Sequence, residues 1–234
     1  MGIISDQLSQ IQQQIAQACD RSGRDPGKIS LVAVSKTKPA SAVLEALAEG
    51  QLIFGENRVQ ESRDKIPLVE AEAGSLAQWH LIGPLQRNKV NVAVKLFSMI
   101  HSLDSVELAL DLSKRAQRIR PLPVLVQINV GRESQKNGFL PEQAPEAIRQ
   151  MADLDGIQVQ GLMTVPPVTP DPEGARPYFQ ALARLAEQIK ALQLDGIGMD
   201  QLSMGMSHDY PVAVEEGATL IRVGSALFGA RTCF

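Results

Sequence analysis

The chain has 234 residues, 44% hydrophobic and 21% charged, with a formal net charge of −3. That is enough chain to bury a core in one large domain or two small ones. The mild negative charge, without any long basic block, removes the usual electrostatic footprint for nucleic acid or an anionic membrane surface, though a small anion in a local pocket stays open.

The N-terminus, "MGIISDQLSQIQQQIAQACD", has neither the basic nor the apolar region of a signal peptide. Its Met-Gly start is followed by Asp6, where myristoylation wants Ser or Thr. No apolar run reaches the ~20 residues a membrane helix requires, so a cytoplasmic protein is expected. Cys19 and Cys233 show no metal or redox spacing and read as free thiols, with a terminal staple as the alternative.

Residues 5–20 come first in chain order. Leu8, Ile11, Ile15 and Ala18/Cys19 recur at helical spacing behind Ser5, a plausible N-cap, which predicts an amphipathic helix packed on the outside of something larger. Strand-like apolar runs then follow at 29–35, 51–54, 78–82, 98–103, 123–130, 157–163, 200–204 and 219–223. Helical stretches separate them near 41–49, 57–72, 86–95, 105–118, 141–152, 174–192 and 210–216. Strands alternating with helices imply parallel pairing, and eight of them close a (β/α)8 TIM-type barrel; a doubly wound open sheet is the alternative. No helix is predicted after the last strand, so the extra N-terminal helix is expected to fill that place in the outer ring. Nothing marks a second domain, and residues 1–234 read as a single barrel. "TVPPVTPDP", 164–172, is the one long, stiff loop.

Barrels of this kind carry function at the C-terminal ends of their strands. Lys36, "FGEN" (54–57), Asn129, "SMGMS" (203–207) and "RVGS" (222–225) all fall there. Alternation places Val32, Val34 and Lys36 on one face of strand 1, and Leu220, Arg222 and Gly224 on one face of strand 8. If the apolar members point inward, Lys36 and Arg222 meet at the mouth. There a neighbouring cation and desolvation would make the lysine amine nucleophilic. Ser207 and Ser225, with the glycine-rich backbone beside them, lie in the loops where barrel enzymes hold phosphate. The combination suggests a phosphorylated carbonyl compound with Lys36 as its Schiff-base partner. Plainer readings stand beside it: a solvated Lys36, an Arg222 paired with Glu215 or Glu216, and Met204 and Met206 as core. Lys38 belongs to the following loop. His80, His101 and His208 lack metal-ligand spacing.

The motifs "VAVSKTKP", "FGENRVQE", "WHLIGPLQRNK", "HSLDS", "QINVGRESQKNGF", "GLMTVPP" and "LSMGMSHDYPVAVEEGATLIRVGSALFGAR" resemble the pyridoxal phosphate homeostasis protein family. The family's fold is similar to the N-terminal barrel of alanine racemase, and the likeness runs from about residue 5 to residue 231. It implies pyridoxal 5′-phosphate (PLP) as cofactor and Lys36 as the Schiff-base lysine. By the same resemblance Ser207, Gly224 and Ser225 take the phosphate and Arg222 faces the pyridine nitrogen. Asn57 lies near the cofactor, and Met204, Gly205 and Met206 lie along one wall. Relatives often carry Thr where Ser225 stands, which keeps the hydroxyl.

An arginine at the pyridine nitrogen cannot protonate it, so the ring is a weaker electron sink and only modest chemistry such as racemisation stays open. Racemisation needs a base on each face of the substrate. The sequence holds two tyrosines, Tyr178 and Tyr210. Tyr210 is the sole, weak catalytic candidate, and a lid or surface position is the plainer reading. The expectation is a monomeric PLP carrier without turnover of its own, with other B6 vitamers and PLP-dependent enzymes as further partners. A low-activity racemase is the alternative.

Overall fold

Strands buried on both faces need a helix returning over the outside for each parallel pairing, and the observed order obeys that rule. The computed structural model describes residues 2–229. Its strands are β1 (Ser30–Val34), β2 (Ile53–Glu56), β3 (Gln78–Leu81), β4 (Met99–Leu103), β5 (Leu122–Gln127), β6 (Ile157–Met163), β7 (Gln201–Met206) and β8 (Leu220–Val223). They form a closed barrel in sequence order, β8 pairing in parallel with β1. Outside lie α1 (Ile3–Ser22), α2 (Ala40–Ala48), α3 (Val59–Ala73), α4 (Val90–Leu96), α5 (Val106–Ala116), α6 (Ala144–Met151), α7 (Arg176–Lys190), α8 (Tyr210–Glu215) and α9 (Ser225–Phe228). The (β/α)8 expectation is met.

Two apolar layers follow from strand alternation. Val32, Met99, Leu125, Met163 and Leu220 fill the barrel interior. The larger outer layer joins strands to helices: it holds Phe54, Ile100 and Val223 of the strands together with Phe179, Leu182, Leu185 and Ile189 of α7, which packs on β6 and β7. Each fully buried side chain of this size stabilises the fold by about 1.5–3 kcal/mol.

The ring has a gap after β8, because α9 is a single turn of four residues. The N-terminal helix α1 covers it, packing on α8, α9 and α2 through Leu8, Ile11, Ile15 and Cys19. Gly23 ends α1 in the left-handed conformation, at φ 67°. Arg24, just beyond, bonds the Val214 carbonyl and, at 2.8 Å, that of Ala218. Cys19 is buried as a free thiol, and Cys233 lies outside the described residues.

Several boundaries differ from expectation: α1 starts at Ile3 with Gly2 rather than Ser5 at its N-cap, β5 ends at Gln127 rather than at 130, and one turn of helix, α9, follows β8. β2 spans Ile53–Glu56 rather than 51–54, so Gly55 and Glu56 are strand, not loop. A glutamate reads as a strand terminator, but here Glu56 is fully buried and its charge is met by Lys65 of α3.

Candidate functional site

β1 sends Val32 into the barrel, so Val34 and Lys36 follow on the same side toward the mouth. There Lys36 lines a cavity of about 420 Å³, together with Val34, Asn57, Met206, Ser207, Arg222, Gly224 and Ser225. Strand closure makes this possible: Val32 is in register with Arg222 across the β1–β8 pair. Lys38 also touches the cavity, and its amine bonds the Phe228 carbonyl at 2.7 Å, tying the β1 loop to the turn after α9.

β7 carries a bulge. Its register with β8 slips between Ser203 and Met206, and Gly205 sits at φ +87°. Ser203 therefore points into the barrel, Met204 points outward into the helix-facing layer, and Met206 turns back to the mouth. Met204 is thus fully buried in the outer core, which corrects its expected place on the cofactor wall. Gly205 is required by more than its φ: a Cβ there would sit 2.6 Å from Ala213 Cβ. Beyond the bulge, Asp209 accepts from the Met206 amide at 2.6 Å and holds the turn. Ser207 Oγ then receives the amides of Gly224 at 3.2 Å and Ala226 at 3.4 Å. Two amides thus converge on the Ser207 hydroxyl at one wall of the cavity.

Arg222 forms the floor and is 4% exposed. It donates to Ser203 Oγ at 2.5 Å and to the Thr164 carbonyl at 2.7 Å. Glu215 and Glu216 pair instead with Arg176, so the ion pair considered for Arg222 is not formed. Burial lowers the Arg222 pKa to about 10, leaving it cationic at neutral pH.

Behind Arg222 runs a buried chain that sequence reasoning missed. Ser203 Oγ lies 2.9 Å from His101 Nδ1, and His101 Nε2 lies 3.0 Å from His80 Nδ1. Arginine only donates, so Ser203 accepts from Arg222 and gives its own hydrogen to His101 Nδ1. His101 must then carry its proton on Nε2 and donate to His80. Both imidazoles are neutral: burial lowers His80 to about 4, and burial with the neighbouring His80 and Arg222 holds His101 well below the ordinary range. The available signal was alternation, since His101 shares the inward face of β4 with Met99.

A second missed group stands behind Lys36. Glu56 accepts from Ser35 Oγ at 2.7 Å and from Lys65 Nζ at 2.8 Å. Burial raises the Glu56 carboxyl above its usual range, against the pull of Lys65 and Ser35. His208 is exposed at the cavity rim. Asn129 instead braces the β5 loop, donating to the Glu133 carbonyl at 2.9 Å and accepting its amide at 3.2 Å. Tyr210 is turned away: its hydroxyl donates to Gln14 Oε1 of α1 at 2.5 Å, outside the barrel.

A barrel with an amine after β1, a guanidinium on β8 and hydroxyl and amide donors at the ends of β7 and β8 defines a class, and the sequence agrees. Residues 7–232 match the family described as "Alanine racemase, N-terminal domain". The pyridoxal phosphate homeostasis protein of Pseudomonas aeruginosa is 42% identical over 233 residues, covering 99% of this chain and 97% of the relative. That of Aquifex aeolicus is 40% identical over 227 residues, covering 97% of each. PipY of Synechococcus elongatus, in a structure solved with PLP bound, is 36% identical with a TM-score of 0.83, covering 97% of this chain and 100% of PipY. The chain belongs to the pyridoxal phosphate homeostasis protein family.

Proposed function

We propose that this chain binds PLP at the barrel mouth and takes part in cellular PLP and amino-acid homeostasis as a carrier, without catalytic turnover of its own. The observation that carries the reading is convergence in one cavity: Lys36, the buried Arg222, and Ser207 with Gly224 and Ser225. Those groups fit the cofactor's chemistry. A cavity of about 420 Å³ is within the range that encloses a small organic ligand. PLP supplies an electrophilic aldehyde and a dianionic phosphate. Lys36 would hold the cofactor covalently and reversibly through its amine, with one water released. The Ser207 and Ser225 hydroxyls would donate to the phosphate, with Ser207 held in place by the Gly224 and Ala226 amides that donate to its Oγ. Arg222, which has no proton to give up, would leave a ring nitrogen facing it unprotonated. Asn57 and Met206 bound the ring's surroundings.

The same groups argue for holding rather than turnover. A second base is needed for racemisation, and neither Tyr178 nor Tyr210 lines the cavity. Among the described residues no helix is long and apolar enough to cross a membrane. We place the protein in the cytoplasm as a monomer that exchanges PLP, and other B6 vitamers bearing the phosphate, with PLP-dependent enzymes.

An absorbance titration tests the binding. Wild-type protein mixed with PLP develops a visible band that Lys36→Ala lacks, with apparent affinity weaker by about tenfold or more in the variant. Equal bands and affinities in the two proteins contradict the reading.

A further inference from the structure

Lys36 sits in a turn held from both sides. The Ser35 carbonyl accepts from the Lys38 amide at 3.0 Å, which makes Lys36 and Thr37 the two central residues of a four-residue turn. Thr37 has φ 63°, in the left-handed region. A β-branched residue is a true outlier there, where glycine would be at ease, and such strain persists only when its surroundings impose it. The imposing groups come from the end of β2 and the first turns of α3. Glu61 Oε1 accepts the Thr37 amide at 2.5 Å. Lys65 Nζ donates to the Ser35 carbonyl at 2.8 Å, to Glu56 Oε1 at 2.8 Å and to Glu61 Oε1 at 2.9 Å. Glu56 takes the Ser35 hydroxyl. Both residues flanking Lys36 are therefore bonded to one cluster of two carboxylates and an ammonium, in which Glu56 and Lys65 are buried.

We propose that Glu61 and Lys65 of α3, with Glu56 of β2, are positioning residues for Lys36: through Ser35 and Thr37 they hold the strained turn that aims its amine into the cavity. The inference rests on the assignment of Lys36 as the amine that captures PLP. Buried salt clusters away from function are easily replaced by apolar packing. This one instead spends its hydrogen bonds on the backbone either side of one residue.

Glu61 is the member to change, since its side chain is 27% exposed and its loss leaves the buried Glu56–Lys65 pair intact. Two readouts separate the inference from the binding assignment. The first is amide hydrogen exchange by NMR on protein without PLP. The Thr37 amide should exchange about tenfold or more faster in Glu61→Ala, while Glu61→Gln, which keeps an acceptor oxygen, retains protection. The second is the rate at which the visible band appears on mixing with PLP. It should fall about tenfold in Glu61→Ala. It should recover toward wild type in Glu61→Gln, and also in Glu61→Ala/Thr37→Gly, where the left-handed turn needs no imposed contact. A purely structural role for Glu61 would not be rescued by Thr37→Gly. Wild-type capture rates in Glu61→Ala overturn the inference, as does an unrescued double variant. If wild-type protein itself fails to capture PLP at Lys36, the binding assignment has failed; the exchange data then decide alone, and an unprotected Thr37 amide in wild type overturns the positioning role.

Discussion

His80 and His101 are held neutral inside the barrel by burial, and that has a consequence for stability. The folded-state pKa of His80 is about 4 against an ordinary 6.5. A depressed pKa favours the folded state above the unfolded value, and the contribution disappears as pH falls toward 4. For His80 alone it is on the order of 3 kcal/mol at neutral pH. His80→Asn keeps an acceptor near the Nδ1 position without titrating. Urea unfolding should show wild type losing about 2 kcal/mol more than this variant between pH 7 and pH 5. Parallel pH dependence in the two proteins would refute the assignment of His80 as a neutral link behind Arg222.

At the scale of elements, the bulge in β7 decides which side chains reach the site. Regular alternation from Ser203 would send Ser203 and Gly205 inward and Met206 outward; the slip at Gly205 brings Met206 back to the mouth and Ser207 under the β8 amides. Gly205→Ala combines a positive φ with a Cβ 2.6 Å from Ala213 Cβ. Unfolding free energy should drop by about 1–3 kcal/mol, with weaker PLP binding in the same preparation. An alanine variant with wild-type stability and affinity would mean the bulge is not what sets the wall. The same bulge separates Met204 from Met206, which the sequence motif suggested would share a wall. Alternation already sends Met204 toward the helices; what the fold adds is the slip that returns Met206 to the mouth.

Closure of β8 on β1 is what the whole molecule contributes, since it brings Lys36 beside Arg222, Gly224 and Ser225 from the far end of the chain. That much was legible in the sequence. Eight apolar runs separated by amphipathic helices fit the parallel closed barrel, and alternation on the first and last strands put Lys36 and Arg222 at one mouth. The Glu56–Lys65 pair and the Arg222–Ser203–His101–His80 chain were not legible. The first joins a strand end to the helix that follows it, nine residues on, and the second runs across β8, β7, β4 and β3; in each the polarity argues against burial until the partner is seen. The gap after β8 shows the opposite case: the chain ends its last strand with one helical turn, and the amphipathic face of α1 already announced a surface needing cover.

Lys36 is the centre of the account, and other amines lie close to it or in the adjoining loops. Borohydride reduction of the PLP-loaded protein, followed by mass-spectrometric mapping of its peptides, asks which nitrogen holds the cofactor. The reduced pyridoxyl group is expected on Lys36. Modification confined to Lys38, Lys65 or Lys136, or spread over the exposed lysines with Lys36 untouched, would contradict it.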